Sequence, residues 1–157
     1  VIVSNDKDML TIPGRHYNHC DPTPAVIEIS TQEADINHAV LALAGDTSDG
    51  YKGCKGVGEK GARDMMAGLE WGSSIWKATL ALFEKAGHDE DYAIQQFRLA
   101  QVLRVNDYNP NTGEVNLWVP PEIRQARLVR KSGGRSGGKT LARAQRVGRG
   151  SQGSRAK

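Results

Sequence analysis

The sequence predicts an α/β chain that is mostly helical, and three observations carry that expectation. Val1-Ile2-Val3 and Ala25-Val26-Ile27-Glu28-Ile29 are short runs of strand character. After Ser30, apolar residues recur at helical spacing in four successive stretches ending near Leu103. Beyond Ser132, Gly, Ser, Arg and Lys dominate, so burial could not repay ordering and the tail is expected to be disordered.

The 157 residues suffice for one domain with a modest core. The net charge of +3 conceals an asymmetry: residues 122–157 carry eleven Lys and Arg against one acidic residue, a net of +10, whereas the remainder carries −7. Such a tail either attracts nucleic acid without sequence preference or is a solvated, dispensable terminus. Cys20 and Cys54 form neither a disulfide framework nor a CxxC zinc pair, which leaves a reducing cytoplasm as the expected compartment. No apolar run approaches the ~20 residues of a membrane span, and no signal peptide is visible. Because the chain opens without Met, on what reads as a buried strand already under way, it is expected to be the later part of a longer protein.

Taken in order, Val1 to Val3 is followed by Ser4-Asn5-Asp6-Lys7-Asp8 where the strand would end. Ligands gather at strand carboxyl ends in open α/β sheets, so Asp6 and Asp8 mark either a site or a solvated turn. Met9 to Ile12 reads as extended, Pro13-Gly14 as a turn, and Arg15 to Pro24 as a loop. His16, His19 and Cys20 within it match no common zinc spacing. Ser30-Thr31-Gln32-Glu33 is a capping box opening a helix to about Ala44, with Ile36, Val40 and Leu43 as its buried stripe. Gly45 ends it, and Asp46 and Asp49 emerge from the loop.

Lys60 to Leu69 forms the next helix, with Met65 and Met66 as core. Ser73 or Ser74 caps a third helix, which Gly87 stops, and Asp89 caps what should be the longest, bearing Ala93, Phe97, Ala100 and Leu103 on one face. His38 and His88 read as ordinary surface or boundary residues. Asn106 to Val119 looks like an irregular hairpin in which Val115, Leu117 and Val119 alternate as in a strand, and residues 122–131 could form a short basic helix.

Two chemistries lie side by side in the middle of the chain. Asp6, Asp8, Asp46 and Asp49 offer four hard oxygen ligands of the kind magnesium prefers, and paired cations of that type can assist phosphodiester hydrolysis. Gly53, Gly56 and Gly58 let backbone N–H groups turn outward before a helix whose positive end faces the same way, with Lys52, Lys55 and Lys60 around the turn. A phosphate could dock there, although Gly-rich turns before helices are also ordinary loops.

Asn5-Asp6-Lys7-Asp8-Met9-Leu10, Ala42-Leu43-Ala44-Gly45-Asp46-Thr47-Ser48-Asp49-Gly50 and Gly53-Cys54-Lys55-Gly56-Val57-Gly58-Glu59-Lys60-Gly61-Ala62 resemble the 5′-3′ exonuclease and flap endonuclease family. There a DKD segment, a GDxSD segment and a helix-hairpin-helix follow in this order at comparable spacing. Gln101-Val102-Leu103-Arg104, Asp107-Tyr108-Asn109 and Leu117-Trp118-Val119-Pro120 look most like the small phage-encoded exonucleases.

The resemblance covers roughly residues 1–121. It implies the end of a PIN-like α/β nuclease domain in residues 1–50, a helix-hairpin-helix DNA-binding subdomain in residues 51–121, and the basic tail in residues 122–157. It further implies Asp6, Asp8, Asp46 and Asp49 as catalytic ligands of Mg²⁺ or Mn²⁺. Lys52, Lys55, Gly56, Val57, Gly58 and Lys60 would contact the duplex backbone, with K⁺ at the hairpin carbonyls in some relatives. The implied substrates are duplex or branched DNA and RNA in hybrids, cut by water at or near a 5′ end in the host cytoplasm. Family members carry further acidic ligands and a basic helical arch in an N-terminal half without counterpart here. A whole polypeptide of this length is therefore expected to bind duplex with weak or no nuclease activity, the alternative being a non-catalytic duplex-binding module.

Overall fold

The computed structural model describes residues 1–69 and 72–124, and its elements are of mixed α and β type. Strand β1 (Ile2–Val3) runs parallel to β2 (Gly14–Tyr17), which pairs antiparallel with β3 (Val26–Ile29), in the order β1-β2-β3. Between β1 and β2 lies a 3-10 helix, Lys7–Thr11. The extended run expected from Met9 is replaced by this helix for a local reason. The Asp6 carboxylate caps it by accepting the Asp8 N–H at 2.9 Å, and Thr11 Oγ1 donates to the Asp8 carbonyl at 2.7 Å.

Gly14 opens β2 instead of closing a Pro-Gly turn, and Arg15, His16 and Tyr17, expected in a loop, continue it. His16 is buried, with Nε2 2.8 Å from the Ile12 carbonyl. Val1 and Val3 depart from the expected buried strand, being 69% and 62% exposed. Among the described residues β1 pairs along one edge only, so just Ile2 turns partly inward.

Four helices follow: α1 (Thr31–Ala44), α2 (Glu59–Met66), α3 (Ser73–Lys85) and α4 (Glu90–Leu99). At the start of α1 the Ser30 hydroxyl accepts the Glu33 N–H at 3.2 Å while the Glu33 carboxylate accepts the Ser30 N–H at 2.8 Å, the expected capping box. The helix packs against the 3-10 helix, α2 and α4 at once. Its burial is therefore wider than a single stripe: every residue from His38 to Leu43 is buried, and Ile36 only partly. With 14 residues against ten in α4, α1 is the longest helix among the described residues. Gly72 occupies the cap position of α3, so Ser73 begins the helix instead of capping it. Gly87, at φ 85°, ends α3 as expected, and Asp89 caps α4 by accepting the Tyr92 N–H at 2.9 Å.

His38 corrects the surface assignment. The residue is 6% exposed, and its ring sits edge-on to Phe97 and Trp118 and places Nε2 2.8 Å from the Phe97 carbonyl. Burial pushes its pKa down to about 4, with Arg104 acting in the same direction and the Phe97 carbonyl, Asp35 and Asp107 opposing. Around it the core joins Phe97, Trp76 and Trp118, with Phe97 and Trp118 stacked at 4.3 Å. Fully burying an aromatic or aliphatic side chain of this size contributes about 1.5–3 kcal/mol.

Helix α4 stops at Leu99, so Leu103, expected on its buried face, is 45% exposed. The hairpin is shorter than expected: β4 (Tyr108–Asn109) pairs antiparallel with β5 (Glu114–Val115), and Leu117 and Val119 lie beyond it. Trp118 instead turns into the core, tied by its N–H to Gln101 Oε1 at 2.9 Å and by its carbonyl to Arg98 Nε at 3.1 Å. The basic helix expected over residues 122–131 is seen as one helical turn at 121–124, and its remainder, with the tail, lies outside the described residues. Among the described residues no helix is long and apolar enough to cross a membrane.

Candidate functional site

Three of the four singled-out carboxylates converge. Asp8, from the 3-10 helix, meets Asp46 and Asp49, from the loop after α1, with one oxygen of each within 4.8 Å of the other two. Asp6 is not in this group; its Oδ1 caps the 3-10 helix that presents Asp8.

The loop carrying Asp46 and Asp49 is built tightly. Asp46 and Tyr51 exchange two backbone hydrogen bonds of 3.0 Å, closing a four-residue excursion. Within it Asp46 Oδ1 accepts the N–H groups of Ser48 at 2.8 Å and Asp49 at 3.4 Å, and also the Ser48 hydroxyl. Behind the loop two glycine backbones touch. A Cβ on Gly53 would stand 2.4 Å from the Leu43 carbonyl oxygen, and one on Gly45 2.4 Å from the Lys52 carbonyl carbon. Both glycines also have positive φ, 72° at Gly45 and 62° at Gly53.

The carboxylates differ electrostatically. The Ser48 hydroxyl and N–H hold the Asp46 carboxyl below its usual range. Burial, with Asp6, Asp49 and Asp46 adding negative charge, pushes Asp8 up, against the opposing Lys7 ammonium. Tyr51, buried against the same loop, has its phenol pushed up to about 12, first by burial and then by Asp8, Asp46 and Asp49.

Asp8 Oδ1 is buried and has no hydrogen-bond partner among the described residues. An acceptor in that state beside two further carboxylates fits a hard divalent cation, whose charge would relieve the repulsion and occupy the free lone pairs. The residues that would hold it are Asp8, Asp46 and Asp49. A cation bound there would supply Lewis-acid charge.

The glycine turn follows directly. Val57 N–H donates to the Cys54 carbonyl at 3.0 Å across a turn in which Gly56 has φ 83°. Gly58 then caps α2 with no side-chain hydrogen bond. Lys52, Lys55, Gly56, Gly58 and Lys60 are exposed and Val57 is half-buried against the core, while Lys60 forms a surface pair with Asp64 at 3.3 Å. The turn and the acidic centre are linked by Lys7, whose ammonium lies 3.5 Å from Glu59 in the first turn of α2. Glu59 is also bound by Arg63 at 3.1 Å, and Arg63 reaches Asn37 at 2.9 Å.

Further residues hold this arrangement without any sequence signal of that role. Gln96 Oε1 accepts the Gly53 N–H at 2.8 Å in a buried position, and the Tyr92 hydroxyl donates to the Gly53 carbonyl at 3.4 Å. Arg104, noted only within Gln101-Val102-Leu103-Arg104, donates to the Thr11 carbonyl through Nε at 2.9 Å and Nη2 at 2.6 Å, and to Asp35 at 2.5 Å.

Fold and site together define a mixed α/β chain with an oxygen-only acidic centre beside a glycine turn that opens a helix. In sequence it is similar to the exonuclease of Escherichia phage T7, with 29% identity over 148 aligned positions covering 76% of this chain and 49% of that protein. It is 27% identical to the exodeoxyribonuclease of Enterobacteria phage T3, again over 76% of this chain and 48% of the relative. The chain thus spans about half the length of the curated relatives it matches. No protein-family model matches the chain, and no solved structure matches it.

Proposed function

We propose that the chain is the C-terminal part of a divalent-metal-dependent 5′-3′ exonuclease of the flap endonuclease type, acting on duplex or branched DNA and on RNA in hybrids. The observation that carries this reading is the convergence of Asp8 with Asp46 and Asp49, from two separate motifs, in a chain similar to two phage exonucleases. In this reading residues 1–50 close a PIN-like nuclease domain, residues 51–121 form a helix-hairpin-helix subdomain, and the basic residues 122–157 add non-specific attraction to the backbone.

Asp8, Asp46 and Asp49 hold Mg²⁺ or Mn²⁺ at the scissile phosphate, and Asp6 acts through the turn it caps. The backbone N–H groups at Gly56 to Gly58, ringed by Lys52, Lys55 and Lys60, hold a phosphate of the duplex away from the cut, with K⁺ as a candidate occupant of the hairpin carbonyls. Because these are backbone contacts, they read no base, as suits an enzyme that must work through any sequence.

The test is Mg²⁺-dependent release of nucleotides from a 5′-labelled duplex by the purified chain. Release that Asp46→Asn abolishes supports the reading. Duplex binding without release, unchanged by Asp46→Ala and with no divalent cation bound, would replace it with a non-catalytic duplex-binding module.

A further inference from the structure

The three carboxylates arrive on two separate limbs, and like charges within 4.8 Å push those limbs apart. What opposes the separation is found downstream. Asp8 stands on the 3-10 helix, whose terminal residue Thr11 is clamped through its carbonyl by two donors of Arg104 while its hydroxyl holds the Asp8 carbonyl. Asp46 and Asp49 stand on the loop backed by Gly53, whose N–H is taken by Gln96. Gln96 and Arg104 belong to one stretch of chain, α4 and the segment just beyond it.

We infer that Gln96 and Arg104 are positioning residues that set the separation of the two carboxylate limbs and so the affinity of the acidic centre for a divalent cation. The inference deepens the proposed function and rests on its cation site.

The chemistry favours Arg104 for this task. Its planar guanidinium presents several donors in a fixed geometry, so it can bind Thr11 and Asp35 together. Asp35 lies on α1, the helix whose end carries the Asp46 loop, so the guanidinium ties the Asp8 limb to the base of the other limb. The Asp35 contact also compensates the positive charge of this half-buried side chain. Gln96 is 3% exposed, and its amide oxygen satisfies the buried N–H of Gly53, whose backbone packs against that of Gly45. Neither side chain belongs to the trio of converging carboxylates, so their influence is mechanical, through backbone atoms one step from each limb. Outer residues that orient metal ligands commonly change affinity by about 10- to 100-fold when removed.

The experiment is a Mn²⁺ titration, by calorimetry, of the full chain and its variants, with thermal unfolding of each apo protein recorded beside it. Arg104→Met and Gln96→Leu are each expected to weaken Mn²⁺ binding by about 10-fold or more at a temperature where the variant is fully folded. Arg104→Lys, which keeps the charge and one donor, is expected to fall between, and it carries the comparison if Arg104→Met does not fold. A lower melting temperature with unchanged Mn²⁺ affinity would show struts of the fold alone and overturn the inference. Wild-type protein that binds no Mn²⁺ would overturn the cation site, and the inference with it.

Discussion

Acidification should unload His38 in a measurable way. Its imidazole titrates near 4 in the folded chain against an ordinary 6.5, so between those values the unfolded state binds the proton more readily. Stability therefore falls as pH drops through that window. The contribution is fully present above 6.5 and changes no further below about 4. Linkage between the two pKa values gives a loss of about 2 kcal/mol by about pH 5 and approaching about 3 kcal/mol at the lower end. The assay is urea unfolding followed by tryptophan fluorescence at about pH 7 and about pH 5, on the wild type and on His38→Gln, which cannot titrate but can still donate to the Phe97 carbonyl. Carboxylate titrations are shared by both proteins and cancel in the comparison. The wild type should lose about 2 kcal/mol more than the variant over that interval. Parallel losses would refute the argument, because they would mean that the folded structure can protonate His38 without opening the contact between α1 and α4.

The glycines separate steric from conformational demand. Gly53→Ala places a Cβ 2.4 Å from the Leu43 carbonyl oxygen and should cost more than about 3 kcal/mol in urea unfolding, because packed backbone cannot yield. Gly56→Ala, at φ 83° but with nothing within 4 Å of the added carbon, should cost only about 1 kcal/mol. Ser30→Ala removes one half of the capping box at α1 and should cost about 1 kcal/mol by the same measurement. It should also return the Glu33 carboxyl, held low first by the Ser30 hydroxyl, toward its ordinary value in an NMR titration. Asp8→Asn should weaken Mn²⁺ binding while raising the apo melting temperature or leaving it unchanged, since burial and the neighbouring carboxylates oppose the Asp8 charge. A marked fall in the melting temperature would contradict that repulsion.

The legible parts of the fold were those fixed by neighbours in sequence. Ser30 with Glu33, Asp89, Gly45 and Gly87 punctuate helices through contacts a few residues long, and the helices begin and end close to where these residues predict. The misread parts depend on distant partners or on two local rules in competition. Asp6 favours a turn and Met9-Leu10 favour burial, and both are satisfied by a 3-10 helix lying against α1, which no periodicity announces. His38 reads as a surface or boundary residue because no candidate partner stands at useful spacing in the sequence. It is buried because Phe97 and Trp118, 59 and 80 residues further on, close over it. Trp118 escapes strand alternation for the same reason, drawn inward by aromatic stacking instead of outward by a pleat.

The candidate site divides along the same line. Asp8, Asp46 and Asp49 stand out in the sequence through the order and spacing of the motifs that carry them, whereas their meeting depends on α1 carrying one loop against the turn that holds the other. Asp6 shows the limit of the rule: it has the same residue type and motif, but it caps the turn that presents Asp8 and stands outside the trio. Gln96 and Arg104 show the converse, being placed by the fold one backbone step from each limb although glutamine and arginine near a helix end are ordinary surface choices. A carboxylate cluster that repels itself needs an external constraint to keep its geometry, and that constraint must come from chain that the acidic motifs do not include. The residues that govern such a centre are therefore to be sought opposite its loops as much as within them.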